Sequence, residues 1–262
     1  MTLDAAALRD QLIGPYAALD VVADTGSTNA DLRAAAGRGA PDRTVLIAER
    51  QTAGLGRRGR GWSSPTGGLY LSALFRPSGV APARLPWLTL LAGVALVRTA
   101  KAFGVDATLK WPNDLLVGDA KAAGVLADVT AGVAQAVVVG IGLNVARLPD
   151  DVEPGVGGLR PTSLEDHAGP LDRTAVAIAL LTELAALEAQ WRRTGGDDPA
   201  LREEYRAHCV TLGRPVRVEL AKGEPLLGTA HRLEADGTIV VRDDAGVDHS
   251  VSAGDVVHLR VR

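Results

Sequence analysis

The stretch TVLIAERQTAGLGRRGRGW, residues 44–62, decides how the rest of the chain is read. Its first eight residues form a strand-length run with β-branched and apolar side chains. From Gln51 the chain enters a loop with four glycines, three arginines and no acid. Glycine lets backbone N–H groups converge on a ligand, and arginine offers a planar, permanently charged fork that matches phosphate oxygens. A strand feeding such a loop reads as an anion cradle. It is not a Walker loop, because the GxxxxGK[ST] spacing is absent. GLGRRG does fit GxGxxG, but no strand–helix unit with an acid about twenty residues further on accompanies it. A solvated arginine turn and an RG-type nucleic-acid segment fit the same residues, so the loop needs support from elsewhere.

The positive charge is local. The 262 residues carry 28 basic and 31 acidic side chains, a net −3, whereas a general polyanion or membrane-surface binder would be basic overall. Aromatics at 3% leave few stacking surfaces for RNA. No nucleic-acid or membrane partner is expected. The length allows one large domain, or one large and one small. A single cysteine, Cys209, allows no intrachain disulfide, and with five scattered histidines it makes a Cys/His metal cluster improbable. Its thiol is expected to be inert and to lie in a helix, and the chain to belong in a reducing cytoplasm. MTLDAAALRDQLI has no signal-peptide core, and the apolar run Trp87 to Val97 is too short to span a bilayer.

Outward from the loop, the pattern predicts a helix over 4–13, then a strand, turn and helix through LDVVADTGSTNADLRAAA with its N-cap among Ser27, Thr28 and Asn29. Residues 69–77 read as a strand closed by proline, 84–104 as a buried helix and ATLKW as a short strand. LLVGDAKAAGVLADVT reads as a hairpin turning at or near Gly118-Asp119, and 134–145 as an apolar central strand. Residues 147–170 form a long loop of the functional or mobile kind. From Asp172 a helix carries Val176, Leu180, Leu184, Leu187 and Trp191 on one stripe, and a shorter helix covers 198–209. After Gly213-Arg214-Pro215 come the short alternating strands VRVEL, TIVVR, VDHSV and DVVHLRV, the texture of a small β-barrel. The expected division is 1–211 and 212–262.

Three further stretches carry polar groups among apolar ones. In KWPND (110–114), Pro112 ends a strand and projects Asn113 and Asp114, as a strand-end ion pair and Asx turn or as part of a pocket with Lys110. Lys121 leads into an apolar strand, either snorkelling or aimed into a site. In GIGLNV (140–145), Asn144 either offers its amide to a ligand or metal or simply ends a core strand with glycines. Each stretch alone favours the plainer reading.

In this order, GSTN at 26–29, QTAGLGRRGRGW at 51–62, KWPND at 110–114, KAAGVL at 121–126, GIGLN at 140–144, TSL at 162–164 and HLR at 258–260 resemble the biotin protein ligases over nearly the whole chain. The resemblance implies an α+β fold of the class II aminoacyl-tRNA synthetase and biotin-ligase kind, a mixed sheet flanked by helices with an SH3-like C-terminal barrel. It implies formation of biotinoyl-5′-AMP from biotin and ATP with Mg2+, then transfer of biotin to one lysine of a biotin carboxyl carrier protein or carboxylase carrier domain. For biotin it implies Ser27, Thr28, Asn29, Gln51, Gly54, Leu55, Gly56, Arg57, Lys121 and Gly124. For ATP and the adenylate it implies Arg57, Arg58, Arg60, Trp62, Lys110, Asn113, Asn144, Arg217 and Arg260, with Asp114 and Asn144 near Mg2+. Lys121, Arg57 and Asp114 stand as the catalytic groups, and Trp62 and Trp111 are expected to pack around the site. Residues 51–62 and 147–162 are expected to order as a lid over a hydrolysable intermediate.

The chain departs from the family pattern at Leu55, where the loop usually has an arginine, a change expected to touch affinity more than activity. Asp128 replaces the acid common after KAAGVL with a close variant. Only 25 residues precede Gly26, whereas a DNA-binding winged helix needs about sixty, so no repressor function is expected. A lipoate-type acyl-acid ligase is the alternative within the same superfamily, and a non-catalytic biotin sensor the alternative outside it. A monomer or a ligand-promoted homodimer is expected.

Overall fold

The computed structural model describes residues 2–130, 135–220, 224–252 and 255–259. The chain begins with α1 (Ala5–Leu12), capped by Asp4, then runs through β1 (Ala18–Thr25) into α2 (Thr28–Gly37). Ser27 is the N-cap of α2, its hydroxyl accepting from the Ala30 N–H. β2 (Thr44–Gln51) and β3 (Leu69–Phe75) flank the glycine/arginine loop. α3 (Trp87–Ala102) follows, and the chain leaves it through Gly104 at a positive φ. Three strands come next: β4 (Thr108–Lys110), β5 (Asp114–Val117) and β6 (Ala120–Thr130), the last two joined at Gly118-Asp119. β7 (Ala136–Leu143) completes the first sheet.

Its strand order is β1-β2-β3-β7-β6-β5-β4, with β1 parallel to β2 and every other pair antiparallel. This is the mixed sheet expected. β3 is buried along its whole length, because both faces are covered. Leu69, Leu71, Ala73 and Phe75 join the main core under α3, while Leu74 packs with Leu32 and Ala36 of α2, Ala136 and Val138. The two-residue period of the strands sorts alternate side chains to opposite faces. Twelve of the sixteen α3 residues are buried, which is why its sequence is apolar all round and lacks a stripe.

The 147–170 stretch is not wholly loop, since Glu165–Ala168 forms the single turn α4. α5 (Arg173–Arg193), capped by Asp172, buries the full stripe Val176, Leu180, Leu184, Leu187 and Trp191 and packs against α3 and α1. α6 (Pro199–His208), capped by Asp198, leads to Cys209, which closes the helix rather than lying within it. Burial pushes the Cys209 thiol up, keeping it protonated.

The C-terminal segment contributes β8 (Pro215–Glu219), β9 (Leu226–Leu233), β10 (Ile239–Arg242), β11 (Asp248–Val251) and β12 (Asp255–His258). They form an antiparallel sheet of order β11-β10-β9-β8-β12. Among the described residues β11 and β12 do not pair, so the sheet is open and the closed barrel expected is not seen. β9 is a strand the sequence reading did not name.

Candidate active site

A cavity of about 550 Å³ opens on the α2 face of the mixed sheet, beside the N-terminus of that helix. Glycines make its floor. Gly124, Gly142 and Gly140 fall in two neighbouring cross-strand rows, Lys110–Asp114–Gly124–Gly142–Tyr70 and Leu126–Gly140–Ser72. Directly paired residues share a face, so the first row sets two charges beside a bare patch of backbone. The space above that patch is taken by side chains from elsewhere. A Cβ on Gly140 would lie 2.0 Å from Asn29 Oδ1, and one on Gly142 would lie 2.5 Å from Trp62 Nε1. The glycines of GIGLN and KAAGVL are therefore room for Asn29, Trp62 and a ligand.

Lys121 reaches the cavity because of a β-bulge. Leu115 pairs with Ala123 but Leu116 pairs with Lys121, leaving Ala122 as an extra residue. Strict alternation would put Lys121 on the face of Ala123 and Val125, under α3. The bulge turns it to the face of Gly124 and Asp114. Its backbone is then clamped by the 160–162 segment, with Lys121 N donating to Arg160 O at 2.8 Å and Thr162 N to Lys121 O at 2.9 Å. Lys121 Nζ sits 2.6 Å from Asp114 Oδ1 and 5.3 Å from the Trp62 ring centre, while Lys110 Nζ is 3.7 Å from the other Asp114 oxygen. Burial lowers the Lys110 pKa against the pull of Asp114, and the neighbouring Lys121 lowers it further.

The glycine/arginine loop folds as a tight ribbon. Gly56 N donates to Arg60 O and Trp62 N to Gly54 O, and at the tip Arg58 takes the left-handed conformation at φ 58. Gly54 does not line the cavity. A Cβ there would meet Trp62 O at 2.7 Å, so its smallness lets the two arms approach. Arg57 points inward, donating to Asn113 Oδ1 at 3.4 Å, and burial lowers its pKa. Asn113 is itself tied to β6 through Val125 O.

The loop arginines share a partner that sequence reasoning missed. Arg60 forks onto both carboxylate oxygens of Asp255 at 2.6 and 2.9 Å, Arg58 donates to it at 3.2 Å, and Arg57 lies 4.0 Å away. The Arg60 hydrogen bonds, with those of Arg58, hold the Asp255 carboxyl at about 2. Asp255 begins β12, and Val257 of the same strand packs on Gly157 in the 147–162 segment. Both stretches expected to form a lid line the cavity and rest on one strand of the C-terminal sheet.

At the other end the side chains that line the cavity, Ser27, Thr28, Asn29 and Gln51, are uncharged. Gln51 Oε1 accepts from Thr28 N at 2.9 Å, Asn29 Nδ2 donates to Leu126 O and Asp128, and Ser72 bridges Thr28 and Asn29. Of the expected residues, Ser27, Thr28, Asn29, Gln51, Leu55, Gly56, Arg57, Arg60, Trp62, Lys110, Asn113, Asp114, Lys121, Gly124 and Asn144 all line this one cavity. Asn144 commits one of its two amide N–H donors to Thr162 O at 2.9 Å, which fixes the orientation of the carboxamide and leaves its oxygen as an acceptor for a ligand. Arg58 lies outside, bonded to Glu219 O, Leu220 O and Asp255. Arg217 is half exposed and paired with Glu219 at 2.8 Å, away from the cavity lining. Arg260 lies outside the described residues. Trp111 is buried behind the site, its ring N–H on Gly237 O and its backbone N–H on Thr211. Thr211 in turn meets His258 Nε2 at 3.0 Å, and burial, with Lys110 nearby, lowers His258 to about 4.

A cavity with a neutral hydrogen-bonding end and a charged end, where Lys110, Lys121, Arg57 and Arg60 meet Asp114 and Asp255 under a glycine/arginine loop, has the groups a carboxylate-to-phosphate ligase needs. The Biotin/lipoate A/B protein ligase family matches residues 27–144, a span bounded by the first and last of the expected lining residues, and the Biotin protein ligase C terminal domain matches 211–259. The chain is 44% identical to the biotin–[acetyl-CoA-carboxylase] ligase of Mycobacterium tuberculosis over 98% of its own length and 96% of that protein, and 33% identical to that of Paracoccus denitrificans over 86% and 95%. Its structure is similar to that of a biotin protein ligase from Aquifex aeolicus in complex with biotin and ATP, with TM-score 0.76 and 26% identity over 94% of this chain and all of the other. The chain belongs to the biotin protein ligase family.

Proposed function

We infer that the chain joins biotin to a carrier-protein lysine in two steps at this cavity. The observation that carries the reading is the two-ended cavity itself. Thr28, Ser27 and Gln51 suit a ureido head that both donates and accepts, and Lys121 and Arg57 suit the place where a carboxylate meets a phosphate. A carboxylate oxygen attacks the α-phosphorus of ATP, the bond to the bridging oxygen breaks, and pyrophosphate leaves. Lys121 and Arg57 match the charge that builds on the phosphoryl oxygens. The acceptor lysine, neutral against its usual pKa of about 10.4, then attacks the acyl carbon and AMP leaves. In this reading Asp114 orients that amine or takes its proton, which its carboxylate chemistry and its position between Lys121 and Lys110 support.

Among the described residues no three His, Cys, Asp or Glu side chains gather as a metal cage. One carboxylate and one amide oxygen, from Asp114 and Asn144, instead fit a magnesium that arrives on ATP phosphates, which needs one or two protein ligands. When bound it would neutralise the leaving pyrophosphate. The same reading takes 1–211 as the catalytic unit and 212–262 as an SH3-like domain, with Arg58, Arg217 and Arg260 as outlying nucleotide contacts. It also takes a biotin carboxyl carrier domain as acceptor, the cytoplasm as location, and a monomer or ligand-promoted dimer as assembly, β1 being a sheet edge free to pair. The test is ATP-dependent mass gain on a purified carrier domain. Gain with biotin supports the reading; gain with lipoate alone moves the chain to the other branch of its superfamily, and biotin binding without gain makes it a sensor.

A further inference from the structure

Ser72 lies within the sheet, fully buried, outside the lining of the cavity described above and in none of the sequence motifs. Its hydroxyl is 2.6 Å from Asn29 Oδ1 and 2.8 Å from Thr28 Oγ1, and Thr28 Oγ1 is 3.1 Å from Gln51 Oε1. The two amides cannot be turned round. Asn29 Nδ2 faces the acceptors Leu126 O and Asp128 Oδ2, and Gln51 Oε1 receives the Thr28 backbone N–H, so an oxygen of each amide faces the hydroxyls. Three oxygen–oxygen contacts therefore share two hydroxyl hydrogens, since serine and threonine each donate once.

The two shortest contacts need those hydrogens most. An oxygen pair at 2.6 or 2.8 Å with none between would set lone pair against lone pair. Ser72 thus donates to Asn29, and Thr28 donates to Ser72. Thr28 Oγ1 is left with lone pairs toward the cavity and toward Gln51 Oε1, a pair of acceptors awaiting one N–H. We propose that Ser72 is a positioning residue that locks the Thr28 hydroxyl as an acceptor, so that the cavity selects a head group presenting an N–H at Thr28. The ureido ring of biotin has such a donor and a dithiolane ring has none. The proposal rests on biotin being the substrate.

The test is calorimetric binding of biotin and of its two cyclic carbamate analogues, each with one ring N–H replaced by oxygen, to wild type, Ser72→Ala and Ser72→Cys. Wild type should bind biotin and discriminate against one carbamate isomer by about ten-fold or more. Ser72→Ala, freeing Thr28 to donate to Gln51, should weaken biotin by about ten-fold while kcat at saturating biotin stays within about two-fold. Its penalty against that isomer should shrink toward unity, with Ser72→Cys, a weaker and somewhat larger donor, in between. Equal losses for all three ligands, a fall in kcat with KM unchanged, or wild-type affinity in both variants would overturn the assignment. Wild type that binds no biotin would instead overturn the substrate reading beneath it. Should the alanine variant fail to fold, the cysteine variant carries the same comparison.

Discussion

Replacing Asp255 by asparagine removes a carboxylate on which Arg57, Arg58 and Arg60 converge while keeping its shape. Holding that carboxyl at about 2 in place of the usual 3.8 corresponds to roughly 2.4 kcal/mol. Arg58 and Arg60 are 38% and 42% exposed, so solvent screening brings the net figure to about 1 kcal/mol. Two consequences follow from that number. The folded state should lose about 2–4 °C in Tm at neutral pH. Because the folded pKa is depressed, this stabilisation is present above 3.8 and is lost as pH falls from there toward 2, so the two Tm curves should converge in acid. The loop should also undock from β12. A closed state about 1 kcal/mol less favoured raises KM for ATP by roughly five-fold and releases adenylate onto stray lysines. The assay is mass spectrometry of an unrelated bystander protein alongside the ATP dependence of carrier labelling, each at low and high salt. An Asp255→Asn enzyme with wild-type Tm, wild-type KM for ATP and no stray labelling would refute the docking argument.

Gly140→Ala places a Cβ 2.0 Å from Asn29 Oδ1 and must push that side chain out of its network, so biotin affinity should fall by about 100-fold or more in a binding titration, from loss of at least two hydrogen bonds. His258 is held near 4 against an ordinary 6.5, so the folded chain refuses a proton the unfolded chain accepts. Stability is full above 6.5 and drains as pH falls toward 4, and His258→Gln should flatten the Tm profile in that window. Leu55, 53% exposed on the cavity rim, leaves room for the missing arginine; Leu55→Arg should lower KM for ATP by about two- to five-fold with kcat unchanged, as one added exposed charge allows.

Much of the architecture is legible where the local pattern and the fold agree. β2, α5 and the turn at Gly118-Asp119 follow from apolar run, helical stripe and glycine chemistry, each a signal contained within a few residues. β9 was not, because Leu226–Leu233 alternates weakly around Gly228, whose Cβ position is filled by the Arg242 carbonyl of its partner strand. Most of the motif residues gather at one cavity while Gly54, Arg58 and Arg217 do not line it, and the face on which Lys121 lies depends on a bulge at Ala122 that no side chain announces. Asp255 and Ser72 act at sequence separations of 195 from Arg60 and 43 from Asn29, beyond any spacing rule. For Asn144 the sequence leaves open an amide offered to a ligand or the plain end of a core strand; one of its N–H donors is held by Thr162, a partner supplied by a loop whose path the composition leaves open.

The most direct measurement is biotin-dependent exchange of labelled pyrophosphate into ATP without any carrier protein, wild type beside Lys121→Ala. Exchange that requires biotin, is not supported by lipoate and disappears in the variant is the predicted result, and it would put Lys121 in the adenylation step. Exchange that persists undiminished in Lys121→Ala, or none in the wild type despite bound biotin, would contradict the account.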